Sequence, residues 1–167
     1  MELHLLRHAL AVERATFRDR DDSRRPLAPE GGEKMRRAAR GMRELGLSFD
    51  LILSSPFLRA RDTAVIVANV LGHRRSVELT EWLTPEASPE KIIRHLARLR
   101  GAKSVLLVGH EPHLGSLLAT LLGVRAPGAW KLKKGALCRL TVVKLSSRPV
   151  AKLDWLLTSG HLARLAD

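Results

Sequence analysis

Residues 2–9 read Glu2-Leu3-His4-Leu5-Leu6-Arg7-His8-Ala9, a short apolar run that ends in a guanidinium and an imidazole. A run of this length and composition reads as a buried strand. Ligands of open α/β folds sit at the carboxyl ends of such strands, and that is where Arg7 and His8 fall. Outward from this segment, apolar stretches of strand length alternate with helical patterns. Strands are predicted at Glu2–Arg7, Leu51–Leu53, Val77–Leu79, Ser104–Val108, Leu137–Lys144 and Val150–Leu156. Helices are predicted at Gly31–Leu45, Phe57–Leu71, Pro89–Leu99 and Pro112–Leu122. Ser88-Pro89-Glu90 gives one helix start a capping hydroxyl, a first-turn proline and an acid. Gly46 and Gly72 fall where helices stop. The alternation predicts an α/β protein, a three-layer sandwich with a mostly parallel central sheet flanked by helices.

The 167 residues suit one domain spanning 1–167. An apolar fraction of 45% and a charged fraction of 28% are those of a globular, water-soluble chain. Glu2, His4 and Arg7 interrupt the N-terminal apolar stretch, so it does not read as a secretory signal. No apolar run approaches the roughly 20 residues of a membrane span. A single cysteine, Cys138, excludes an internal disulfide framework and a cysteine-rich metal site; it reads as a small core residue in a reducing, cytoplasmic setting. The net charge is +12, and no carboxylate occurs from Pro112 to Leu153, where Arg125, Lys131, Lys133, Lys134, Arg139, Lys144, Arg148 and Lys152 fall. That balance suits an anionic partner, or simply a well-solvated surface. Only 4% of residues are aromatic and none is tyrosine, which argues against a base-stacking platform for nucleic acid.

Three further segments carry chemistry. In Ser54-Ser55-Pro56-Phe57-Leu58-Arg59-Ala60-Arg61-Asp62-Thr63, a strand runs through serines and a proline into a helix, so Arg59 projects from a first helical turn. The amides of such a turn already favour anions. In Val105-Leu106-Leu107-Val108-Gly109-His110-Glu111-Pro112, a fully apolar strand ends at glycine and places a second imidazole at a strand's carboxyl end. In Ser23-Arg24-Arg25-Pro26-Leu27, the loop Glu13–Pro29 either brings a guanidinium over the site or approaches a helix stiffly. Singly, Arg59 and His110 read as a solvated helix residue and a capping or core histidine. Together, two Arg and two His reach one sheet edge from three strand ends. Such a cluster is expected to be strongly electropositive, with mutual repulsion keeping both imidazoles neutral until an anion binds. A neutral imidazole can attack phosphorus while guanidiniums hold the oxygens.

These residues resemble the histidine phosphatase superfamily, the phosphoglycerate mutase-like fold, and within it the SixA-type phosphohistidine phosphatases. Leu6-Arg7-His8 matches the strand-end Arg–His, Ser54–Thr63 the second-arginine motif, and Gly109-His110 the second histidine. Arg25-Pro26-Leu27 with Gly31, and Leu83-Thr84-Pro85, resemble the SixA-type branch in particular. The resemblance implies that His8 attacks phosphorus in line and is transiently phosphorylated. Arg7, Arg59 and His110 would hold the phosphoryl oxygens, and water would release phosphate with no metal or other cofactor. Arg25 and Glu81 are carried as substrate-binding candidates. The superfamily usually has glycine where Ala9 stands. Its general acid has no firm match, with Glu81 and Glu86 in the right region. A phosphohistidine can depart as imidazole, which is consistent with a weak acid or none.

The expected partner is a protein bearing phosphohistidine, acted on by a monomer or weak dimer with no membrane contact. The stretch between Val65 and Pro89 is too short for a capping insertion, and an open site suits a protein-borne phosphoryl group. The alternatives are a phosphomonoesterase for a small sugar phosphate or nucleotide, and a polyanion-binding protein without turnover.

Overall fold

The computed structural model describes residues 1–99, 101–124, 128 and 130–166. Its elements follow in the order β1 (Glu2–Arg7), α1 (Pro29–Glu44), β2 (Leu51–Ser54), α2 (Leu58–Leu71), β3 (Glu78–Leu79), α3 (Pro89–Leu96), β4 (Ser104–Gly109), α4 (His113–Leu121), β5 (Leu137–Lys144), β6 (Val150–Leu157) and α5 (Ser159–Arg164). One mixed sheet has the strand order β3-β2-β4-β1-β5-β6. The three ladders from β3 to β1 are parallel, and β5 and β6 join as antiparallel neighbours. The mostly parallel, helix-flanked sheet predicted from the sequence is the observed one.

The period-2 geometry of strands sorts the apolar residues into two cores. Leu3 and Leu5 of β1 and Val105 and Leu107 of β4 face α3 and α4, packing with Ile92, Leu96, Leu117 and Leu118. Leu6, Leu106 and Val108 face the other way, onto Met35 and Met42 of α1, Val67 of α2 and Leu162 of α5. Both faces of the central strands are covered, which is why they read as continuous apolar runs. Ser88 accepts a hydrogen bond from the Lys91 amide and Pro89 opens α3. Gly46 and Gly72 end their helices in the left-handed region, at φ 68° and 65°.

α5 escapes the sequence pattern because it has only six residues, too few for helical periodicity to show. Its local signal was the capping box of Thr158 and His161. The loop between β1 and α1 holds local structure of its own. Ala11 bridges Leu27, and Asp22–Arg24 form a 3-10 turn capped by Asp21. Arg125 of the basic stretch lies outside the described residues. Arg139 of that stretch is paired with Glu2 and Asp154. Among the described residues, no helix is long and apolar enough to cross a membrane.

The register brings the chemistry together. Arg7 of β1 pairs with Gly109 of β4, so His8 and His110 emerge side by side, and the His8 amide donates to the Gly109 carbonyl at 3.0 Å. Across β4, Ser54 pairs with Val108 and the Ser55 amide donates to the Val108 carbonyl, which sets Ser55 beside His110.

α1 and α5 cross at Gly41, where a β-carbon would lie 1.7 Å from the Leu162 carbonyl oxygen. Backbone cannot yield as a flexible side chain does. Gly41→Ala is therefore expected to lower stability by about 1–3 kcal/mol, read as a lower urea midpoint at an unchanged m-value. An unchanged midpoint removes this close-approach constraint.

Candidate active site

Arg7, His8, Arg59 and His110 line one cavity of about 420 Å³ at the carboxyl ends of β1, β2 and β4, together with Arg25, Phe57, Pro85 and Lys134. All four predicted core residues therefore meet in one place. His8 and His110 are almost wholly buried, with ring centres 5.1 Å apart.

The contacts of His8 set its chemistry. Its Nδ1 lies 2.7 Å from the carbonyl oxygen of Ala9. A carbonyl only accepts, so the ring proton resides on Nδ1, and Nε2 keeps a free lone pair. Among the described residues Nε2 has no hydrogen-bond partner. Ala9 is fixed in turn: its amide donates to Thr63 Oγ1 at 3.0 Å, and the Thr63 hydroxyl donates to the Arg59 carbonyl at 2.6 Å. Alanine in place of the superfamily's usual glycine is accommodated. Among the described residues every positive φ belongs to a glycine, so Ala9 is unstrained and its methyl packs in the α1–α2 core.

The other three residues keep donors in reserve. Arg7 donates from one terminal nitrogen to the Leu132 carbonyl at 2.8 Å. Arg59 stacks on Phe57 and gives both terminal nitrogens to Asp22, one to its carbonyl at 2.8 Å and one to its carboxylate at 2.9 Å. His110 Nε2 lies 2.9 Å from Ser55 Oγ, which also accepts from the Phe57 amide at 3.3 Å. With the Ser55 proton turned to Nε2, the His110 proton rests on Nδ1. Arg7 Nε, Arg59 Nε and His110 Nδ1 are all buried without a partner among the described residues. Buried donors are normally satisfied; three orphans on residues lining one cavity suit a ligand rich in oxygen.

The expected excess of positive charge is not what the structure holds. Asp21, Asp22, Glu86 and Glu111 line the same cavity, so four carboxylates face four cations. Asp22 carries no distinct signal in the sequence, because it lies in a charge-dense loop far from Arg59 in the chain. Burial pushes the Asp22 carboxyl up, but the bond from Arg25 and the Arg59 and Arg25 charges outweigh it and hold it below its usual range. The histidines are neutral, as expected, but burial rather than repulsion is the leading cause. It takes His8 down to about 3, with Arg59 and Arg7 assisting, and His110 down to about 2, with His8 and Arg59 assisting.

Of the two further candidates, Arg25 lines the cavity, bonded to Asp22 and to the Val12 carbonyl. Glu81 is not among the lining residues. It is the exposed first residue of a 3-10 turn (Glu81–Leu83) that buries Leu83 instead, and Pro85-Glu86 is the part of this segment that reaches the cavity. Glu111, which follows His110 directly, lines the cavity as well. Burial raises its carboxyl against the opposing bond from the Leu132 amide, which its Oε1 accepts at 3.0 Å. Glu111 also accepts a bond from the Gly115 amide, so it serves as an acceptor and is poorly placed to donate a proton. Among the described residues no group of three or more His, Cys, Asp or Glu could hold a metal ion.

Comparison with known proteins gives this geometry a family context. A family model described as histidine phosphatase superfamily (branch 1) matches residues 3–84. The phosphohistidine phosphatase SixA of Escherichia coli K12 is 32% identical over 129 residues, covering 76% of this chain and 78% of the relative. A solved structure of the protein histidine phosphatase SixA complexed with tungstate superposes with a TM-score of 0.84 at 27% identity, covering 97% of this chain and 99% of the other. The α-ribazole phosphatase of Shigella flexneri superposes at 0.75 with 19% identity, over 95% and 97% of the two chains, and shares the fold.

Four buried histidines lie well below the ordinary 6.5: His4 and His113 at about 4, His8 at about 3 and His110 at about 2. Unfolding frees each to bind a proton below 6.5. Their contribution is thus complete above that pH and is lost as pH falls towards the folded values, at up to about 1.4 kcal/mol per pH unit for each group. Urea unfolding between pH 6.5 and 5 should show a steep loss of stability on acidification. Imidazole NMR signals of His8 and His110 should stay in the neutral form across the same range. A flat stability profile, or a midpoint near 6.5 for either ring, contradicts this electrostatic account.

Proposed function

The chain belongs to the histidine phosphatase superfamily and is a phosphatase of SixA type; from that premise we propose that it removes phosphate from phosphohistidine on a protein, through a phospho-His8 intermediate. The observation that carries this reading is the hydrogen bond from His8 Nδ1 to the Ala9 carbonyl, which leaves Nε2 as a neutral nucleophile at the bottom of an oxyanion-ready cavity.

In the first step Nε2 attacks phosphorus and the substrate's N–P bond breaks. A phosphohistidine protonated on its other ring nitrogen departs as neutral imidazole, so no strong acid is required. Arg7, Arg59 and His110 supply donors to the three equatorial oxygens as charge spreads over them. In the second step water attacks the phosphorus of phospho-His8. Nδ1 is still protonated against the Ala9 carbonyl, so His8 also departs as a neutral ring and the free enzyme is restored. Side-chain cations do the electrostatic work throughout. The tungstate held by the SixA relative is a tetrahedral oxyanion of the kind this cavity suits.

A second reading, hydrolysis of a small phosphate ester, draws on Glu86. It is an exposed carboxylate lining the cavity, the kind of group that would protonate an alkoxide leaving group.

The assay is run in EDTA on a phosphohistidine protein, p-nitrophenyl phosphate and an alkyl phosphate. His8→Ala is expected to abolish turnover, and wild type to yield an acid-labile, base-stable phosphoenzyme after rapid quench. Arg59→Ala should lower kcat by about 10²–10³-fold. Turnover surviving in His8→Ala refutes the intermediate. Alkyl phosphate turnover equal to that of phosphohistidine, and lost in Glu86→Gln, favours the second reading.

A further inference from the structure

Lys134 is held at its base and free at its tip. Its segment is strapped to the end of β1 on both sides: Arg7 donates to the Leu132 carbonyl, the Leu132 amide to Glu111, and the Gly135 amide to the carbonyls of Arg7 and His8 at 3.1 and 3.2 Å. Gly135 makes the turn in the left-handed region, at φ 71°. The lysine side chain is exposed and lines the cavity of His8. Among the described residues it has neither an ion pair nor a side-chain hydrogen bond, whereas Arg7, Arg25 and Arg59 are all engaged. A small cleft adjoins that cavity behind Ala9, lined by Lys134 again and by Lys34 of α1. Lys34 likewise has no ion pair among the described residues and is exposed. Two cations without an ion pair among the described residues thus line one cleft, and Lys134 joins it to the cavity of His8.

We infer that Lys134 and Lys34 are a recognition rim for carboxylates flanking the phosphorylated residue, so that the substrate is an acidic segment of a phosphoprotein. This deepens the proposed function and rests on it. The phosphoryl group itself takes the donors of Arg7, Arg59 and His110. The rim lies outside that set, carries charge without a fixed geometry, and opens to solvent. Those properties suit mobile Asp or Glu side chains on a protein surface. Asp22 is taken by Arg59 and Arg25, and Glu111 lies beside Arg7, so Lys134 is the lining cation left without a carboxylate partner among the described residues.

The test uses two phosphohistidine peptides identical except for Glu or Gln at the positions flanking the phosphorylated residue. Wild type is expected to favour the acidic peptide by about fivefold to tenfold in kcat/KM, expressed in KM, as two exposed charge pairs allow. The preference should shrink on raising salt from about 0.05 to about 0.5 M. It should fall below about twofold in Lys34→Gln/Lys134→Gln and survive in Lys134→Arg, which keeps the charge. Equal wild-type rates on the two peptides, or a preference intact in the double variant, overturns the rim. Should neither peptide turn over while p-nitrophenyl phosphate does, the phosphohistidine reading fails instead. The rim is then judged with the same peptides as competitive inhibitors of ester hydrolysis: tighter binding of the acidic peptide, lost in the double variant, supports it, and equal binding overturns it.

Discussion

A single hydrogen bond, 2.7 Å from His8 Nδ1 to the carbonyl of the next residue, fixes the chemistry that the surrounding structure is built to present. It works only if the Ala9 peptide is immobile, and that peptide is held from several directions. The His8 amide is tied to β4 and the Arg7 amide to the carbonyl of Ala136. The Ala9 amide is tied to Thr63 of α2, which is tied in turn to the Arg59 carbonyl one turn earlier. His8, the proposed nucleophile, and Arg59 of the neighbouring motif are thus parts of one backbone network. A tautomer is chosen by geometry here, with no carboxylate required to orient the ring.

The second constraint is charge. Two imidazoles and two guanidiniums cannot all be buried as cations, and the fold resolves this by two routes. The imidazoles lose their charge to burial, the leading cause in both. The guanidiniums keep theirs and borrow partners: Arg59 from Asp22, Arg7 from the Leu132 carbonyl. Each arginine nevertheless keeps a buried Nε without a partner among the described residues. Those loans are local and reversible, since Asp22 sits on a short turn of the β1–α1 loop, half-buried beside Arg25 and Arg14. On the proposed function, a bound phosphoryl group would bring the negative charge that Asp22 supplies here.

The sheet was legible because its central strands are apolar throughout, and strands covered on both faces have no other reading at that length. The core site was legible for a related reason: Arg7–His8 and Gly109–His110 end such strands, and parallel neighbours bring their carboxyl ends to one edge. What stayed hidden depends on long-range contact. Nothing local distinguishes Asp22 from the other acids of its loop, and nothing but the fold brings Lys134 to residues 7 and 8. Glu81 was the natural candidate by position, yet a turn that must bury Leu83 points it to solvent and gives the cavity Glu86. α5 was too short for its periodicity to register, although Thr158 and His161 marked its start.

The carboxylates at the cavity bear on which bond is cleaved. An alkoxide leaving group needs a proton at the moment of P–O cleavage, and a carboxyl can give one only if its oxygens are not already engaged as acceptors. Glu111 has the raised proton affinity of an acid, but the amides of Leu132 and Gly115 occupy it. Asp22 is held ionised by two arginines, and Asp21 accepts from the Ser23 amide. Among the described carboxylates of the cavity Glu86 alone remains, and it is exposed, where water competes for its proton. On the proposed function, His8 as nucleophile, donors held in reserve and, among the described residues, no sheltered acid suit a leaving group that carries its own proton. A phosphorylated imidazole does so.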